Sequence, residues 1–280
     1  MYYLKRFFEF YLNSSIHVAL AVYCLSWLTL LNFNIPYNGN ILYFTFYATI
    51  TGYNFVKYFG RAKFHHRSLT KELRIIQIFS FICFLLMCYY TLELQTKTIY
   101  AIGILGVITL LYAIPLLPKK VLFDERMNLR RISGFKVYVI SFVWACVTVV
   151  LPIIDSGYNI DWDVVLTVIQ IFIYVLVVML PFEIRDMSYD NLRLSTIPQQ
   201  IGVKKTKMIG VLLLIPFFFL EYFKDEISPT SIIALLIVMA LTIIAIVLAK
   251  TKQSDYFSSF WVEGIPIVWL LVKMLGTGYL

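Results

Sequence analysis

The sequence predicts an all-α polytopic membrane protein, and two observations support that prediction. Hydrophobic residues make up 60% of the 280 residues, whereas charged residues make up only 14%, and the mean hydropathy is +0.80. A soluble domain of this size cannot bury so much apolar side chain. Apolar runs also recur along the chain, most of them close to the ~20 residues that a helix needs to cross a bilayer.

These runs predict nine transmembrane helices in one domain that spans residues 1–280, because no soluble domain is inserted between them. The predicted spans are 15–32, 40–57, 74–92, 98–117, 135–154, 163–182, 208–223, 230–249 and 257–275. The seventh is the shortest. Four cysteines lie inside apolar runs without a CxxC spacing, so we expect them to pack as small apolar residues rather than to bind metal.

The distribution of charge predicts the orientation in the membrane. Lysine and arginine concentrate at the N-terminus and in the loops after even-numbered spans, whereas the odd-numbered loops are short and mostly acidic. By the positive-inside rule the N-terminus is cytoplasmic and the C-terminus is outside. The net charge of +8 therefore indicates membrane orientation and not a nucleic-acid partner. We expect a multi-pass protein of the bacterial inner membrane.

A polar segment follows the sixth predicted span. Glu183, Asp186 and Asp190 are spaced i, i+3, i+7, so on a helix they share one face. Three carboxylates on one face repel each other and need cations nearby, either a metal ion or basic side chains.

A matching segment follows the second predicted span. Asn54, Lys57 and Arg61 have the same spacing, and each lies 129 residues before its acidic counterpart. The two segments therefore present one basic and one acidic face in equivalent contexts. This pattern favours an internal pseudo-twofold repeat, although short charge patterns also arise by chance.

The loops resemble those of the UbiA superfamily of intramembrane prenyltransferases over nearly the full chain. The most specific part is Asp186-Met-Ser-Tyr-Asp190, with Ser195-Thr-Ile-Pro198 and Gly202 after it, which looks like the second Asp-rich motif of that family. A weaker match follows the fourth span. It comprises Tyr112, Pro115, Lys119, Arg130 and Lys136.

The resemblance implies a fold, a substrate class and a site. Members of the family join a prenyl diphosphate to an acceptor, with magnesium ions held between two Asp-rich motifs and the diphosphate. It implies catalytic roles for Asp186 and Asp190 and magnesium ligation by these two residues and Glu183. The implied substrate contacts are Asn54, Lys57, Arg61, Tyr112, Lys119, Arg130 and Lys136.

The first Asp-rich motif is absent, which leaves catalytic competence open. The three positions where the family has aspartate carry Phe55, Tyr58 and Ala62, and no carboxylate occurs from residue 54 to residue 70. Half of the family's metal site is therefore missing, and basic residues stand in its place.

Three interpretations remain open at this stage. In the first, a divergent prenyltransferase with a degenerate Mg²⁺ site binds prenyl diphosphate through Lys57 and Arg61, because basic side chains bind phosphate without metal. In the second, a non-catalytic subunit or lipid-binding scaffold replaces the metal by Lys57–Asp186 and Arg61–Asp190 ion pairs. The third is an unrelated transporter or channel. Membrane lipids are partners in each, and a partner membrane protein is an open alternative.

Two further features lie outside these motifs. Glu263 falls inside the ninth span, where a carboxylate is costly and is often functional. The chain start, residues 3–8, combines aromatic and basic side chains in the manner of an amphipathic interfacial helix, which favours a membrane anchor.

Overall fold

The computed structural model describes residues 2–64, 71–113, 135–187, 196–254 and 256–278, with side chains for 4–58, 73–111, 136–187, 196–254 and 256–278. All regular secondary structure in these ranges is helical. The helices are α1 Tyr2–Asn13, α2 Ile16–Asn32, α3 Gly39–Phe64, α4 Lys71–Leu92, α5 Thr96–Ala113, α6 Phe135–Ala145, α7 Leu151–Asp155, α8 Trp162–Asp186, α9 Ile197–Ile201, α10 Val203–Phe219, α11 Pro229–Leu248 and α12 Ile265–Thr277.

Short irregular helical segments extend three of these helices. A π-helical turn, Cys146–Val150, joins α6 to α7, and a second one, Phe257–Val262, precedes α12. A 3₁₀ turn, Leu220–Phe223, follows α10. Each predicted span overlaps one helix or one such composite, and residues 114–117 of the fourth span lie outside the described residues.

Six helical stretches in the described ranges are long and apolar enough to cross a membrane, and a seventh is formed if α1 and α2, which meet at a 57° bend, are counted as one span. The six stretches are Leu73–Leu92, Lys136–Asp155, Trp162–Asp186, Val203–Phe223, Pro229–Leu248 and Phe257–Thr277. The prediction of an integral, multi-pass membrane protein is therefore confirmed. The count of nine spans stays a prediction.

The seventh predicted span begins earlier in the structure than the apolar run suggested. It starts at Val203 instead of residue 208 and reaches Phe223, for a length of 21 residues. Gly202, with φ +81°, separates it from the short helix α9. Lys204, Lys205 and Lys207 thus belong to its first two turns. Hydropathy hid these turns because lysine can lie along a helix and reach polar surroundings.

Helix α2 lies at the centre of the bundle and packs against α3, α7, α12 and the first π-helical turn. From α5 onward, successive membrane-crossing helices pack on each other in chain order, and α12 packs back onto α2. Apolar side chains of α4 and α5 instead face outward, for example Phe81 at 61% and Ile104 at 64% exposure. Such exposure is expected where the surrounding solvent is lipid.

At one end of the bundle, Asp155 at the end of α7 holds three segments together. Its carboxylate accepts hydrogen bonds from Asn38 Nδ2 at 2.9 Å and from the Gln95 backbone amide at 3.0 Å. Its backbone carbonyl accepts a third bond from Gln95 Nε2. Asp155 is only 7% exposed. The buried carboxylate therefore accepts from partly buried donors of the α2–α3 and α4–α5 loops.

We expect Asp155→Ala to lower the free energy of unfolding by about 1–3 kcal/mol, because it removes a buried charged acceptor that holds two loop donors. Glu93→Ala is the matched control, since Glu93 is exposed near the same loop and should change stability by no more than about 0.5 kcal/mol. Thermal unfolding of the detergent-solubilised variants measures both. Equal shifts for the two variants would contradict the role of Asp155.

Candidate functional site

The other end of the bundle carries most of the predicted site residues that the structure describes, and we call it the charged end. It is defined by Lys57 on α3, Lys136 on α6, Glu183 and Arg185 on α8, and Glu263 before α12. Pro181 interrupts the hydrogen-bond ladder of α8 one turn before this end.

Asn54 is buried and links three segments of the N-terminal half of the chain by hydrogen bonds. Its Oδ1 accepts a hydrogen bond from Ser15 Oγ at 2.8 Å, and its Nδ2 donates to the Ser14 carbonyl at 2.9 Å and to Ser80 Oγ at 2.7 Å. Both amide hydrogens are therefore used within the protein. Asn54 joins the α1–α2 bend to α3 and α4, so its side chain has a structural role here, and the expected substrate contact stays a prediction.

Lys57 lies one turn further along α3. Its Nζ donates to the Asn13 carbonyl at 3.2 Å, and the Tyr58 hydroxyl donates to the same oxygen at 2.9 Å. Asn13 is the last residue of α1, where unsatisfied carbonyls carry partial negative charge. Lys57 thus stabilises the end of α1 and places a positive charge at the charged end.

Glu183 and Lys136 form a buried ion pair between α8 and α6. Lys136 Nζ lies 3.1 Å from Glu183 Oε1, and the glutamate side chain is only 2% exposed. The structure therefore brings together two residues that the sequence assigned separately, one to metal and one to substrate. The pairing was not predictable, because 47 residues separate the two positions.

Asp186 pairs with its neighbour on the chain and not with Lys57. Arg185 Nε donates to Asp186 Oδ1 at 2.9 Å, and Arg185 Nη1 also approaches Ser259 Oγ at 3.4 Å. The Lys57–Asp186 pair of the scaffold interpretation is absent from the ion pairs of the described residues. That expectation was wrong, because Arg185 reaches Asp186 from an adjacent position while Lys57 is held by the end of α1.

Several predicted site residues lie beyond what the structure describes. Asp190, Lys119 and Arg130 fall outside the described residues. Arg61 and Tyr112 lie in α3 and α5, but their side chains are not among those described. Their assignments, including the Arg61–Asp190 pair, stay predictions.

The second π-helical turn carries a histidine contact that sequence reasoning missed. The Phe260 carbonyl faces His17 Nε2 at 2.9 Å, and the Tyr11 hydroxyl lies 2.7 Å from His17 Nδ1. A carbonyl only accepts, so Nε2 carries the proton and Nδ1 accepts from Tyr11. His17 thereby joins α1, α2 and the π-helical turn. Its isolated position in an apolar run gave no signal of this contact.

Gln253 is a second residue that the sequence gave no reason to select. Its Nε2 donates to Ser258 Oγ at 2.6 Å and approaches the Pro181 carbonyl at 3.3 Å. It therefore connects the loop before the π-helical turn to the point where proline interrupts α8. This contact fixes the turn beside Arg185 and Asp186.

The described carboxylates do not fit a magnesium site. Glu183 is engaged by Lys136, and Asp186 is engaged by Arg185. Within the described ranges, no group of three or more His, Cys, Asp or Glu side chains lies close enough together to hold a metal ion. Magnesium requires oxygen ligands in near-octahedral geometry, whereas each of these carboxylates faces a cation of the protein.

Comparisons with known proteins define the class. No protein-family model and no curated protein sequence matches the chain. The structure of a digeranylgeranylglyceryl phosphate synthase resembles it over 100% of both chains, with a TM-score of 0.59 and 16% identity. An apo structure of a UbiA homologue from Aeropyrum pernix K1 covers 94% of this chain and 98% of that chain, with a TM-score of 0.65 and 13% identity.

The protein is thus a polytopic helical membrane protein whose helices follow the arrangement of these structures. More particularly, it has the fold of the UbiA-type intramembrane prenyltransferases. The resemblance predicted from the loop motifs is confirmed at the level of the fold.

We expect Glu183→Ala to be much more destabilising than Asp186→Ala. Removing one partner of a buried ion pair costs about 3–5 kcal/mol, and the partial exposure of Lys136 places the loss toward the lower end. Asp186 is about one-quarter exposed, so its pair contributes only about 0–1 kcal/mol. Thermal unfolding of both variants in detergent gives the comparison.

The double variant Lys136→Met with Glu183→Leu separates the effect of an unpaired charge from the effect of lost packing. It should recover most of the stability lost in Glu183→Ala, because it leaves no buried charge without a partner. A double variant that is as unstable as Glu183→Ala would show that the loss does not come from leaving the charge of Lys136 without a partner.

Proposed function

We propose that this protein is a UbiA-like membrane protein that binds a prenyl diphosphate or a related isoprenoid lipid phosphate in a cavity open to the cytoplasmic side. The observation that supports this most directly is the convergence of Lys57 and Arg185 on the charged end of a bundle with the UbiA fold. These two side chains come from α3 and α8, and Arg185 also approaches Ser259 in the second π-helical turn.

Lysine and arginine can bind phosphate groups without a metal ion. Charge-assisted hydrogen bonds to phosphate are stronger than neutral ones, and the planar guanidinium can contact two oxygens at once. In this proposal Lys57 and Arg185 neutralise the lipid phosphate directly. Arg61, Lys119 and Arg130 are additional candidates from the sequence. The isoprenoid chain would extend between the helices, where apolar side chains surround it.

Two versions of this function differ in chemistry. In the first, the protein is a prenyltransferase in which Asp186 and Asp190 still hold one Mg²⁺ beside the diphosphate. In the second, it is a non-catalytic subunit or lipid-binding scaffold. The Lys136–Glu183 and Arg185–Asp186 pairs favour the second version, because basic side chains already neutralise the carboxylates that magnesium would need. Our proposal for the bound lipid is common to both.

Thermal unfolding with a lipid diphosphate tests the proposal and separates the two versions. We expect geranylgeranyl diphosphate to stabilise the protein in EDTA, by about 2.7 kcal/mol at one hundred times its dissociation constant. Lys57→Gln should weaken this effect, because one of the two phosphate-binding cations is lost. Lys250→Gln, an exposed residue in the loop after α11, is the control and should bind normally.

The other outcomes are informative. Stabilisation that requires Mg²⁺ and is lost in Asp186→Asn would support the enzyme. Absence of stabilisation both with EDTA and with Mg²⁺ would reject binding of a prenyl diphosphate altogether.

The orientation is a separate part of the proposal. The N-terminus is placed in the cytoplasm and the C-terminus outside, because basic residues cluster in the loops at the charged end. We expect single cysteines at Asn38 and Lys252 to be labelled from opposite sides of the membrane in a variant without the four native cysteines. Labelling of both from one side would contradict this topology.

A further inference from the structure

The end of the bundle opposite to the charged end contains a buried layer of polar side chains that the proposed function does not use. Its members are Gln170 on α8, Glu221 in the 3₁₀ turn after α10, Lys224 directly after that turn, Ser231 in the first turn of α11 and Lys273 on α12. Four of them are buried, and the Lys224 side chain is only 8% exposed. We call this set the polar layer.

An aromatic cluster shows that the polar side chains of three helices lie at one level of the bundle. The rings of Tyr174, Phe217 and Trp269 pack on one another, with centroids 5.6, 5.2 and 5.8 Å apart. One helical turn away along each helix follow Gln170, Glu221 and Lys273, each four residues from its aromatic neighbour. Helix α8 runs opposite to α10 and α12, because its start contacts the chain after α10 and its end contacts the turn before α12. All three steps therefore lead toward the same end of the bundle.

Hydrogen bonds within the protein satisfy one half of the polar layer. Lys224 Nζ donates to Glu221 Oε2 at 2.7 Å and to Gln170 Oε1 at 3.2 Å. Gln170 Nε2 donates in turn to the Phe217 carbonyl at 3.0 Å and to Glu221 Oε2 at 3.3 Å. The single carboxylate of the layer is therefore already the counter-ion of Lys224.

Lys273 is the second cation of the polar layer, and the described residues do not neutralise it. It is only 4% exposed, and its Nζ donates to Ser231 Oγ at 2.5 Å. None of the ion pairs among the described residues includes it. A hydroxyl carries no net charge, and an ammonium group has three N–H donors. Two of these donors and the positive charge are therefore left without a partner from the described parts of the chain.

The first turn of α11 adds further positive charge beside Lys273. The helix is 20 residues long, and the Ser228 side chain does not cap it. The first backbone N–H groups of a helix have no partner within the helix and carry partial positive charge. The last turn of α12 packs tightly on this turn, since a Cβ on Gly276 would lie 3.0 Å from Thr230 Cγ2. Close packing thus keeps the ammonium group next to the positive end of α11.

The Tyr174 hydroxyl is an independent observation that points to a ligand. It is buried and has no hydrogen-bond partner among the described residues, although buried hydroxyls are normally hydrogen-bonded. A long side chain of an α-helix leans toward the N-terminus of that helix, which on α8 is the direction of Gln170 and the polar layer. A negatively charged acceptor in this layer would satisfy both this hydroxyl and the Lys273 ammonium group.

We propose that the polar layer binds a small monovalent inorganic anion of the halide class, which accepts hydrogen bonds from Lys273 and Tyr174 beside the first turn of α11. The layer has two ammonium groups and one carboxylate, so one such anion makes it neutral. An uncompensated buried charge is costly, whereas a paired one is tolerated. Burial of the layer restricts the ligand to a small ion. This inference does not depend on the proposed lipid phosphate, which binds at the charged end.

Thermal unfolding at constant ionic strength tests the inference. The full chain in maltoside micelles is placed in sodium gluconate, whose anion is too large for a buried site, and sodium chloride or bromide then replaces the gluconate in steps. We expect the unfolding temperature to rise with the logarithm of the halide concentration once this exceeds the dissociation constant, because the anion binds only the folded protein.

Two variants should abolish the halide dependence by opposite chemistry. Lys273→Met removes the cation and keeps an unbranched apolar side chain, whereas Ser231→Asp places a carboxylate next to the Lys273 ammonium group as a permanent counter-ion. Tyr174→Phe should keep the dependence but raise the dissociation constant about tenfold, as the loss of one hydrogen bond to a charged group predicts. Lys97→Gln, at an exposed lysine near the same end of the bundle, is the control and should match the parent protein.

Three results would overturn the inference. An equal rise in the parent protein and in Lys273→Met would identify a general salt effect. Absence of any halide effect in the parent protein would show that Lys273 is neutralised without an anion, for example by loss of its proton. A halide dependence that persists in Ser231→Asp would place the anion elsewhere. In support of the inference, crystals grown with bromide should show its anomalous signal beside Lys273 in the parent protein and not in Ser231→Asp.

Discussion

Charged side chains in a membrane bundle have no water to neutralise them, so each must find a partner inside the protein or face an open cavity. This constraint organises the charged end. Glu183 is neutralised by Lys136 across the α6–α8 contact, and Asp186 by Arg185. The helices must keep their register for these pairs to form. The positions of Lys57 and Glu263 then follow from the same packing.

Helix α2 connects the charged end to the rest of the bundle. Its first turn is attached to α3 and α4 through the Asn54 hydrogen bonds and to the π-helical turn through His17. Further along, Thr29 Oγ1 donates to the Thr148 carbonyl at 2.8 Å, within the other π-helical turn. Both irregular turns thus contact the same central helix. A shift of α2 would therefore disturb the charged end and the core together.

The described side chains at the charged end differ from the pattern that the loop motifs implied. A metal site concentrates carboxylates, whereas here carboxylates and basic groups alternate across helices. The fold is shared with prenyltransferase structures of 13–16% identity, and a shared fold supports several chemistries when the site residues change.

The sequence alone determined the membrane class and the helix positions, because apolar runs and basic loops are local signals that burial in lipid imposes directly. It also selected Lys57, Glu183, Asp186 and Glu263 as candidates. Tertiary structure decided their partners. Lys136 reaches Glu183 from another helix. Asp186 pairs with Arg185 and not with Lys57, and His17 supports the π-helical turn before Glu263. Spacing along one helix cannot show which side chain of another helix will neutralise a buried charge.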